Sequence, residues 1–367
     1  MKKQLMGLAA CALILSSCSQ NQEIENYDQM NREEVRLAPY VNKSKASVMG
    51  DVALQGTGFK VFAVQHASGT VSDYAGLPVF MSNIHESWSN NNNAWTHEGN
   101  YYWPESEALS FFMVAPYSVD LSIVQPTTAD ANKSMTLPVT IKDEVAQQID
   151  ILAASVLNRT KATIGNNGRV DFTFKHILSK IGFAAKVKEG ESLKFKITGI
   201  SFGYGTEIVK DGTFTFTTDG IGTIASGTTK HVNNTEKPNE SHIIGIKTAD
   251  GTIVENNTFV QINADNAFLM LMPQKKTGAL MTMILKYQVA VAGNAYDTEN
   301  PKTATIEIPA MEYLQGKAYT YNLILSSLSG DDGDLLEVTF GDVKVDEWVD
   351  DPNQPGNVEI PKPETQP

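Results

Sequence analysis

The chain has 367 residues, 41% of them hydrophobic, which is enough for two domains of ordinary size with a sizeable apolar core. Its formal charge is −13, and such an acidic surface argues against binding to the phosphate backbone of nucleic acids. Both cysteines, Cys11 and Cys18, lie near the N-terminus, so no disulfide bond can stabilise the rest of the chain.

Residues 1–17 have the pattern of a bacterial lipoprotein signal peptide. Two lysines precede the apolar run Leu5–Leu15, which is too short to span a bilayer. The run ends in Leu-Ser-Ser-Cys, which resembles a lipobox and predicts cleavage before Cys18 and attachment of lipid to its thiol. The alternative is a leader with a chance cysteine. Residues 18–34 are polar and aperiodic, which predicts a flexible tether.

Residues 35–41, with the sequence VRLAPYV, predict an edge strand. Val35, Leu37 and Val41 fall on one face of an extended segment. The proline in this segment is tolerated only at an edge, because it cannot donate a ladder hydrogen bond. A polar loop is expected at 42–47.

Residues 108–115 predict a central strand. Alternate residues from Leu109 to Ala115 form one apolar face, and Phe112 and Val114 form the other, so burial on both sides is expected. Short strands recur along the rest of the chain with turn signals between them, which is typical of an all-β sandwich. They are expected at 59–64, 135–141, 149–156, 170–187, 193–202, 268–273, 279–291, 303–309, 317–325 and 337–348.

Three positions interrupt the alternation of these strands. The apolar phase changes near Leu178–Lys180, at Gly199 and at Gly341. A period of two cannot change phase without an extra residue or a bend, so a bulge is predicted at each place. Four consecutive asparagines between Trp88 and Trp95 predict the turn of a hairpin.

The sequence GNNGR at 165–169 is the strongest break and predicts a domain boundary. A first β-sandwich is therefore expected over residues 35–168 and a second over 169–350. A tail at 351–367 carries five prolines, which leave only Gly356–Ile360 free to pair as a strand.

Five motifs, in order, resemble those of the fimbrillins of Bacteroidales, the Mfa-like and FimA-like pilins. They are Trp-Pro followed by Leu-Ser-Phe-Phe and Ala-Pro-Tyr within 103–117, Asp-Ile-Leu-Ala at 150–153, Phe-Lys-His-Ile-Leu-Ser-Lys-Ile at 174–181, Gly-Lys-x-Tyr-x-Tyr at 316–321, and Trp348. The resemblance implies two transthyretin-like β-sandwich domains in series after a lipoprotein signal peptide. It also implies a stalk, tip or accessory subunit of an adhesive fimbria, with other fimbrial subunits as partners and the outer membrane reached through the lipid.

The resemblance also implies an assembly mechanism. In fimbrillins a trypsin-like protease cuts at an arginine in the loop after the first strand, and a neighbour's strand then fills the vacated groove. Here residues 35–45 would be the removable first strand and loop, with Val35, Leu37 and Val41 filling the groove. The usual Thr-Arg-Ala is replaced by a sequence centred on Lys45.

Lys45, Arg36 and Arg32 are therefore the candidate cleavage positions. An arginine-specific enzyme would reject the lysine, and Arg36 lies inside the expected strand. The alternative is that all three are ordinary solvated charges.

No pattern in the sequence supports catalysis, a cofactor or a metal ion. The six histidines show no metal-ligand spacing, and His176 falls on a core-facing phase, where a hydrogen-bonded core residue is expected. The acidic run 331–334 lacks the bidentate glutamate of a calcium loop. The chain is therefore predicted not to be an enzyme.

A second function remains possible from the sequence. Trp88, Trp95 and Trp103 would form a sugar-stacking platform in a surface-anchored glycan-binding lipoprotein. A glycan binder of this kind should show coplanar exposed rings, whereas a pilin should show a first strand seated over an apolar groove.

Overall fold

The computed structural model describes residues 32–40, 51–118, 120–164, 168–202, 208–217, 222–229, 244–263, 268–275, 281–291, 293–298, 301–308, 311–327, 336–348 and 357–358. In these residues the fold is nearly all strand, which confirms the predicted all-β class. Helix is limited there to α1 (Asp51–Thr57) and a 3-10 turn at Val145–Gln147. None of the helices described is long and apolar enough to cross a membrane. The predicted signal peptide, most of the tether and most of the tail lie outside the described residues.

The strands are numbered in chain order. They are β1 (Arg36–Tyr40), β2 (Phe59–His66), β3 (Val79–Ser89), β4 (Ala94–His97), β5 (Ala108–Ala115), β6 (Thr136–Thr140), β7 (Leu152–Arg159), β8 (Arg169–Thr173), β9 (Lys175–His176), β10 (Ser179–Val187), β11 (Leu193–Phe202), β12 (Asp211–Thr215), β13 (Thr223–Ser226), β14 (Ile244–Val254), β15 (Val260–Gln261), β16 (Leu269–Leu271), β17 (Gln274–Lys275), β18 (Met281–Val291), β19 (Lys302–Ile308), β20 (Glu312–Tyr313), β21 (Lys317–Ser327), β22 (Leu336–Glu347) and β23 (Asn357–Val358).

The predicted central strand, β5, lies inside a six-stranded sheet with the order β4-β3-β2-β5-β7-β9. All eight of its residues are buried, as the sequence predicted. Phe111 and Met113 enter one apolar cluster, while Phe112 and Val114 enter another on the opposite face. The sheet is therefore covered on both sides.

Different strands pack on the two faces of this central sheet. On the Phe111 face lie β1 and β8, which pair with each other in parallel. On the Phe112 face lies the three-stranded sheet β13-β12-β6, which contributes Leu137 and Phe214 to the core. The first strand of the chain thus sits directly over an apolar layer.

Two further sheets lie in the C-terminal part of the chain. One has the order β15-β10-β21-β22-β23, with β16 also paired to β10, and the other has the order β14-β11-β18-β19. Phe183 and Tyr321 from the first sheet meet Phe195 and Leu285 from the second in one core. The short strands β17 and β20 pair with each other beside this core.

The sheets do not divide at residue 168. β8 follows that position but pairs with β1, and β6 precedes it but pairs with β12. Periodicity shows which face of a strand is buried but not which strand is its neighbour, so these pairings across residue 168 cannot be predicted from it. The division into independent units stays a prediction.

Two of the three predicted bulges are confirmed. In the described segment near Leu178–Lys180 there is no bulge, because the expected strand 170–187 is interrupted and the chain leaves the central sheet after β9 and enters another sheet at β10. The register of β11 shifts between Ile197 and Gly199. The β21–β22 ladder shifts between Tyr321 and Leu323, opposite the segment that contains Gly341. The predicted hairpin is also present, because Trp88 of β3 pairs with Trp95 of β4.

Candidate strand-exchange site

Two apolar side chains near the start of the described chain are buried in the core. Val35 is 0% exposed and Leu37 is 5% exposed. Both belong to the cluster that contains Phe59, Phe111 and Val170. Fully burying a side chain of this size contributes about 1.5–3 kcal/mol, so this short segment is held by several kcal/mol of apolar burial.

Backbone hydrogen bonds hold the same segment on both sides at its beginning. The N–H of Val35 donates to the carbonyl of Tyr101 at 2.8 Å, and the N–H of Trp103 donates to the carbonyl of Glu33 at 2.9 Å. On the other side β1 runs parallel to β8, with Leu37 opposite Val170. In the described residues, β1 itself pairs only with β8, which agrees with the predicted edge strand.

Gly168 fits closely against this first strand. Its carbonyl accepts hydrogen bonds from the N–H of Arg36 and from the indole Nε1–H of Trp103, each at 3.1 Å. Its φ is +67°, and an added Cβ would lie 2.1 Å from the carbonyl oxygen of Glu34. Glycine is therefore required here both by conformation and by space.

The sequence reasoning missed the roles of Gly168 and Trp103 in this site. The segment GNNGR predicts only a domain boundary, and Trp103 belongs to the Trp-Pro motif and to the alternative sugar platform, neither of which places it against the first strand. One signal was available, because Val170, Phe172 and Phe174 alternate directly after the glycine and form a strand with one apolar face. Their partner strand lies far away in sequence, so the pairing itself left no local trace.

A buried histidine–carboxylate pair lies on β3 and β4, close to the start of the first strand. Nδ1 of His97 is 2.6 Å from Oε1 of Glu86, and their side chains are 7% and 1% exposed. The hydrogen bond to Glu86 raises the pKa of His97, and the charge of Glu34 acts in the same direction. Among the described residues, the second oxygen of Glu86 and Nε2 of His97 have no hydrogen-bond partner.

The exposed face of the first strand carries charge. The guanidinium of Arg36 lies 3.8 Å from the carboxylate of Glu34. Arg169 is 2.7 Å from Asp171 and also hydrogen-bonds the hydroxyl of Tyr40. The hydrogen bond to Asp171 raises the pKa of Arg169. Exposed pairs of this kind contribute little to stability.

The structure places only some of the predicted site residues. Val35 and Leu37 lie together in the core, while Arg36 lies within β1 with its side chain exposed. Arg32 is exposed and precedes the strand. The remaining predicted positions, Cys18, Val41 and Lys45, lie outside the described residues.

The predicted tryptophan platform is wrong. Trp103 is 3% exposed and packs against Phe111 in the core, where its Nε1–H is already used. The rings of Trp88 and Trp95 meet edge to face, at 5.5 Å and 68°. The three tryptophans therefore do not form coplanar exposed rings, because Trp103 packs in the core while Trp88 and Trp95 pack against each other on the β3–β4 hairpin.

The prediction for His176 is confirmed. It is buried, hydrogen-bonds Asp150 at 3.0 Å and stacks on Trp348 with ring centroids 3.9 Å apart. Across the described part of the chain, no group of three or more His, Cys, Asp or Glu side chains is arranged to hold a metal ion. The acidic run 331–334 lies outside that part.

The solved structures that match this chain include two from Bacteroides species. A fimbrial protein of Bacteroides vulgatus ATCC 8482 matches with a TM-score of 0.57 and 18% identity, over 86% of this chain and 100% of that one. A candidate cell adhesion protein of Bacteroides ovatus ATCC 8483 matches with a TM-score of 0.49 and 16% identity, over 87% of this chain and 98% of that one. The first of these supports the fold alone.

Sequence comparisons give the family. Comparison with curated proteins finds no match. The family model described as fimbrillin-like matches residues 45–348, which is most of the chain and includes the motifs of both predicted sandwiches. The chain therefore belongs to the fimbrillin-like family of structural, non-enzymatic proteins, as its motifs predicted.

Proposed function

We propose that this protein is a structural or accessory subunit of an adhesive surface fimbria, exported to the outer membrane as a lipoprotein and assembled by proteolysis-triggered strand exchange. Its partners would be further fimbrial subunits, of the same or another kind, and a trypsin-like processing protease. Membership of the fimbrillin-like family supports the fimbrial role.

The observation that carries the mechanism is the seating of the first strand. Val35 and Leu37 fill an apolar layer that the rest of the N-terminal sheets leave open to them. If this segment left, the side chains of Phe59 and Val170 would lose apolar cover, and the carbonyl of Tyr101 would lose its hydrogen-bond donor. Uncovered apolar surface and unpaired backbone groups are costly, so a strand from another subunit would be bound in its place.

The order of the candidate cleavage positions distinguishes their effects. A cut after Arg32 precedes β1, so it would free the chain from the lipid but leave the first strand attached. A cut after Lys45 follows β1 and would remove the covalent link that returns the strand to its groove. Arg36 lies within β1 with its N–H bonded to Gly168, so a protease would reach it only after the strand had moved. This order favours Lys45 as the position that triggers exchange.

Lipid attachment at Cys18 would keep the subunit at the membrane before processing. Residues 18–34 would then act as the tether between the lipid and the seated strand. A cut at any of the three candidate positions would separate the folded chain from this anchor. Release from the membrane and opening of the groove would therefore be coupled when the cut falls after Lys45.

Whether the protein is a stalk subunit or a tip or accessory subunit depends on its C-terminal tail. β23, within the predicted Gly356–Ile360 segment, pairs antiparallel with β22, with Val358 opposite Val345. A tail strand that can leave β22 would serve as a donor in a stalk subunit. A tail that stays on β22 would fit a tip or accessory subunit. Deleting residues 351–367 separates these roles, because a stalk subunit would stop polymerising and a tip subunit would still cap fibres.

Trypsin treatment of the purified uncleaved chain tests the mechanism. Mass spectrometry should find cleavage within 32–45, followed by oligomers that form a ladder on a denaturing gel. A variant in which Arg32, Arg36, Lys43 and Lys45 are all changed to glutamine leaves no trypsin site within 32–45. It is the matched control and should remain monomeric. Cleavage and loss of the strand from a protein that stays monomeric at high concentration would exclude strand exchange.

A further inference from the structure

A cleft opens between the first strand and the β3–β4 hairpin. It has a volume of about 370 Å³, which is within the range of small-molecule sites. One wall is β1, and the opposite wall is the β3–β4 hairpin. Leu54 and Gln55 of α1 close one side. The cleft is present in the uncleaved chain, so it does not depend on strand exchange.

Aromatic rings supply the apolar surface of this cleft. Trp88 and Trp95 line the hairpin wall, and Tyr40, which is 48% exposed, lines the β1 wall. Trp95 is fixed from behind by Phe59, with ring centroids 4.9 Å apart. The Nε1–H of Trp88 is held by Asn90 at 3.0 Å. The rings are therefore positioned by the fold and approach a ligand from different directions, which suits a compact ring better than a flat surface.

The backbone of β1 offers mainly acceptors to the cleft. The N–H of Arg36 and the carbonyl of Tyr40 are bonded to the β8 side, at Gly168 and Phe174. Because backbone groups alternate along a parallel strand, those of Leu37 and Pro39 point to the opposite side, towards the cleft. Proline has no N–H, so this edge presents two carbonyl groups but only one donor. A peptide strand would pair poorly there, whereas hydroxyl groups could donate to both carbonyls.

Among the described residues that line the cleft, the charges are compensated. Arg36 and Arg169 both line it, but each guanidinium has its own carboxylate, Glu34 and Asp171. An anionic ligand would have to compete with these carboxylates. A neutral ligand would instead use the guanidinium N–H groups and the amides of Asn93 and Gln55 as hydrogen-bond partners.

From these features we propose that the cleft binds a neutral hexose unit of a glycan. The apolar faces of the sugar ring would pack on the tryptophans, and its hydroxyl groups would meet the β1 carbonyls and the surrounding amide and guanidinium groups. This site differs from the excluded platform, because Trp103 takes no part in it. Since β1 forms one wall, a bound sugar would also hold the first strand in place.

The test uses the uncleaved mature chain and a panel of neutral oligosaccharides that contain glucose, galactose, mannose or N-acetylhexosamines, with sialylated equivalents as the anionic comparison. Binding is followed by tryptophan fluorescence and by calorimetry. At least one neutral sugar should bind, and Trp88→Ala should weaken that binding by roughly two- to tenfold, the range expected for the loss of one ring contact. Phe259→Ala, which removes an exposed ring far from the cleft, is the matched control.

Asn93→Gly gives a second variant that is expected to keep the fold, because Asn93 has a φ of +49° that glycine adopts freely. It should weaken sugar binding while leaving the melting temperature nearly unchanged. Absence of binding to every neutral sugar, binding only to the sialylated ones, or binding that Trp88→Ala leaves intact would each overturn the proposal. So would competition in which a synthetic extended peptide, rather than a sugar, occupies the cleft. Polymerisation does not enter the measurement, so failure here leaves the strand-exchange proposal untouched.

Discussion

Replacing Leu37 by alanine should loosen the first strand without touching the rest of the fold. The side chain is 5% exposed and packs in the cluster with Phe59 and Val170. Removing a buried leucine side chain costs about 2–5 kcal/mol, from lost apolar contact and the cavity left behind. If the strand is fully undocked when it leaves, this cost speeds its departure by a factor of roughly 30 to several thousand.

The assay measures two quantities on the same variants. Urea unfolding of the uncleaved chain gives the loss of stability, and the rate of oligomer formation after trypsin cleavage reports departure of the strand. Leu314→Ala is the matched control, because it makes the same change at a side chain that is 46% exposed. Its effect should be within about 0.5 kcal/mol.

This prediction is contradicted if Leu37→Ala forms oligomers no faster than Leu314→Ala although both are cleaved. That result would mean that strand departure does not limit assembly. A loss of stability below about 1 kcal/mol would mean that the groove closes around the smaller side chain. The Leu37 side chain would then contribute less to binding of the first strand than its burial indicates.

Three further outcomes are expected. The hydrogen bond to Glu86 raises the pKa of His97, so protonated His97 stabilises the fold fully below about pH 6.5, and this contribution is lost as the pH rises through the folded-state pKa. In His97→Gln, the free energy of unfolding measured with urea from pH 5 to 9 should therefore depend less on pH. Gly168→Ala should lower the melting temperature more than Gly190→Ala, since both have positive φ but only Gly168 lacks space for a Cβ. Cys18→Ala should release the protein from the outer membrane, and its retention there would contradict the lipobox interpretation.

Alternation of apolar residues predicted most of the strands. The two apolar faces of β5 are those expected from residues 108–115, and the register shift at Gly199 follows from a change of phase visible in the sequence. These features are local, because a strand's buried face depends only on which of its own residues are apolar.

Pairing partners could not be predicted in this way. β12 and β13 come from a stretch rich in glycine and threonine, and no strand was expected there. They are stabilised because β12 pairs with β6 and because Phe214 is buried in the apolar cluster. In the same way, Gly168 is important because of its contacts with Glu34, Arg36 and Trp103, which lie far away in sequence. Such constraints appear only once the chain is folded.

The parallel pairing of β1 with β8 has a consequence for the order of folding. Tyr40 and Asp171, which meet across this pair, are 131 positions apart in the sequence. Contacts of such long range form slowly, because the conformational entropy of the intervening chain is lost before the contacts contribute favourable free energy. We therefore expect a newly made chain to build the central sheet first and to seat β1 late. During that interval the groove would be open in every molecule, so under the proposed mechanism a high local concentration would allow premature exchange between subunits. A tether that keeps the strand close to its own groove would shorten that interval.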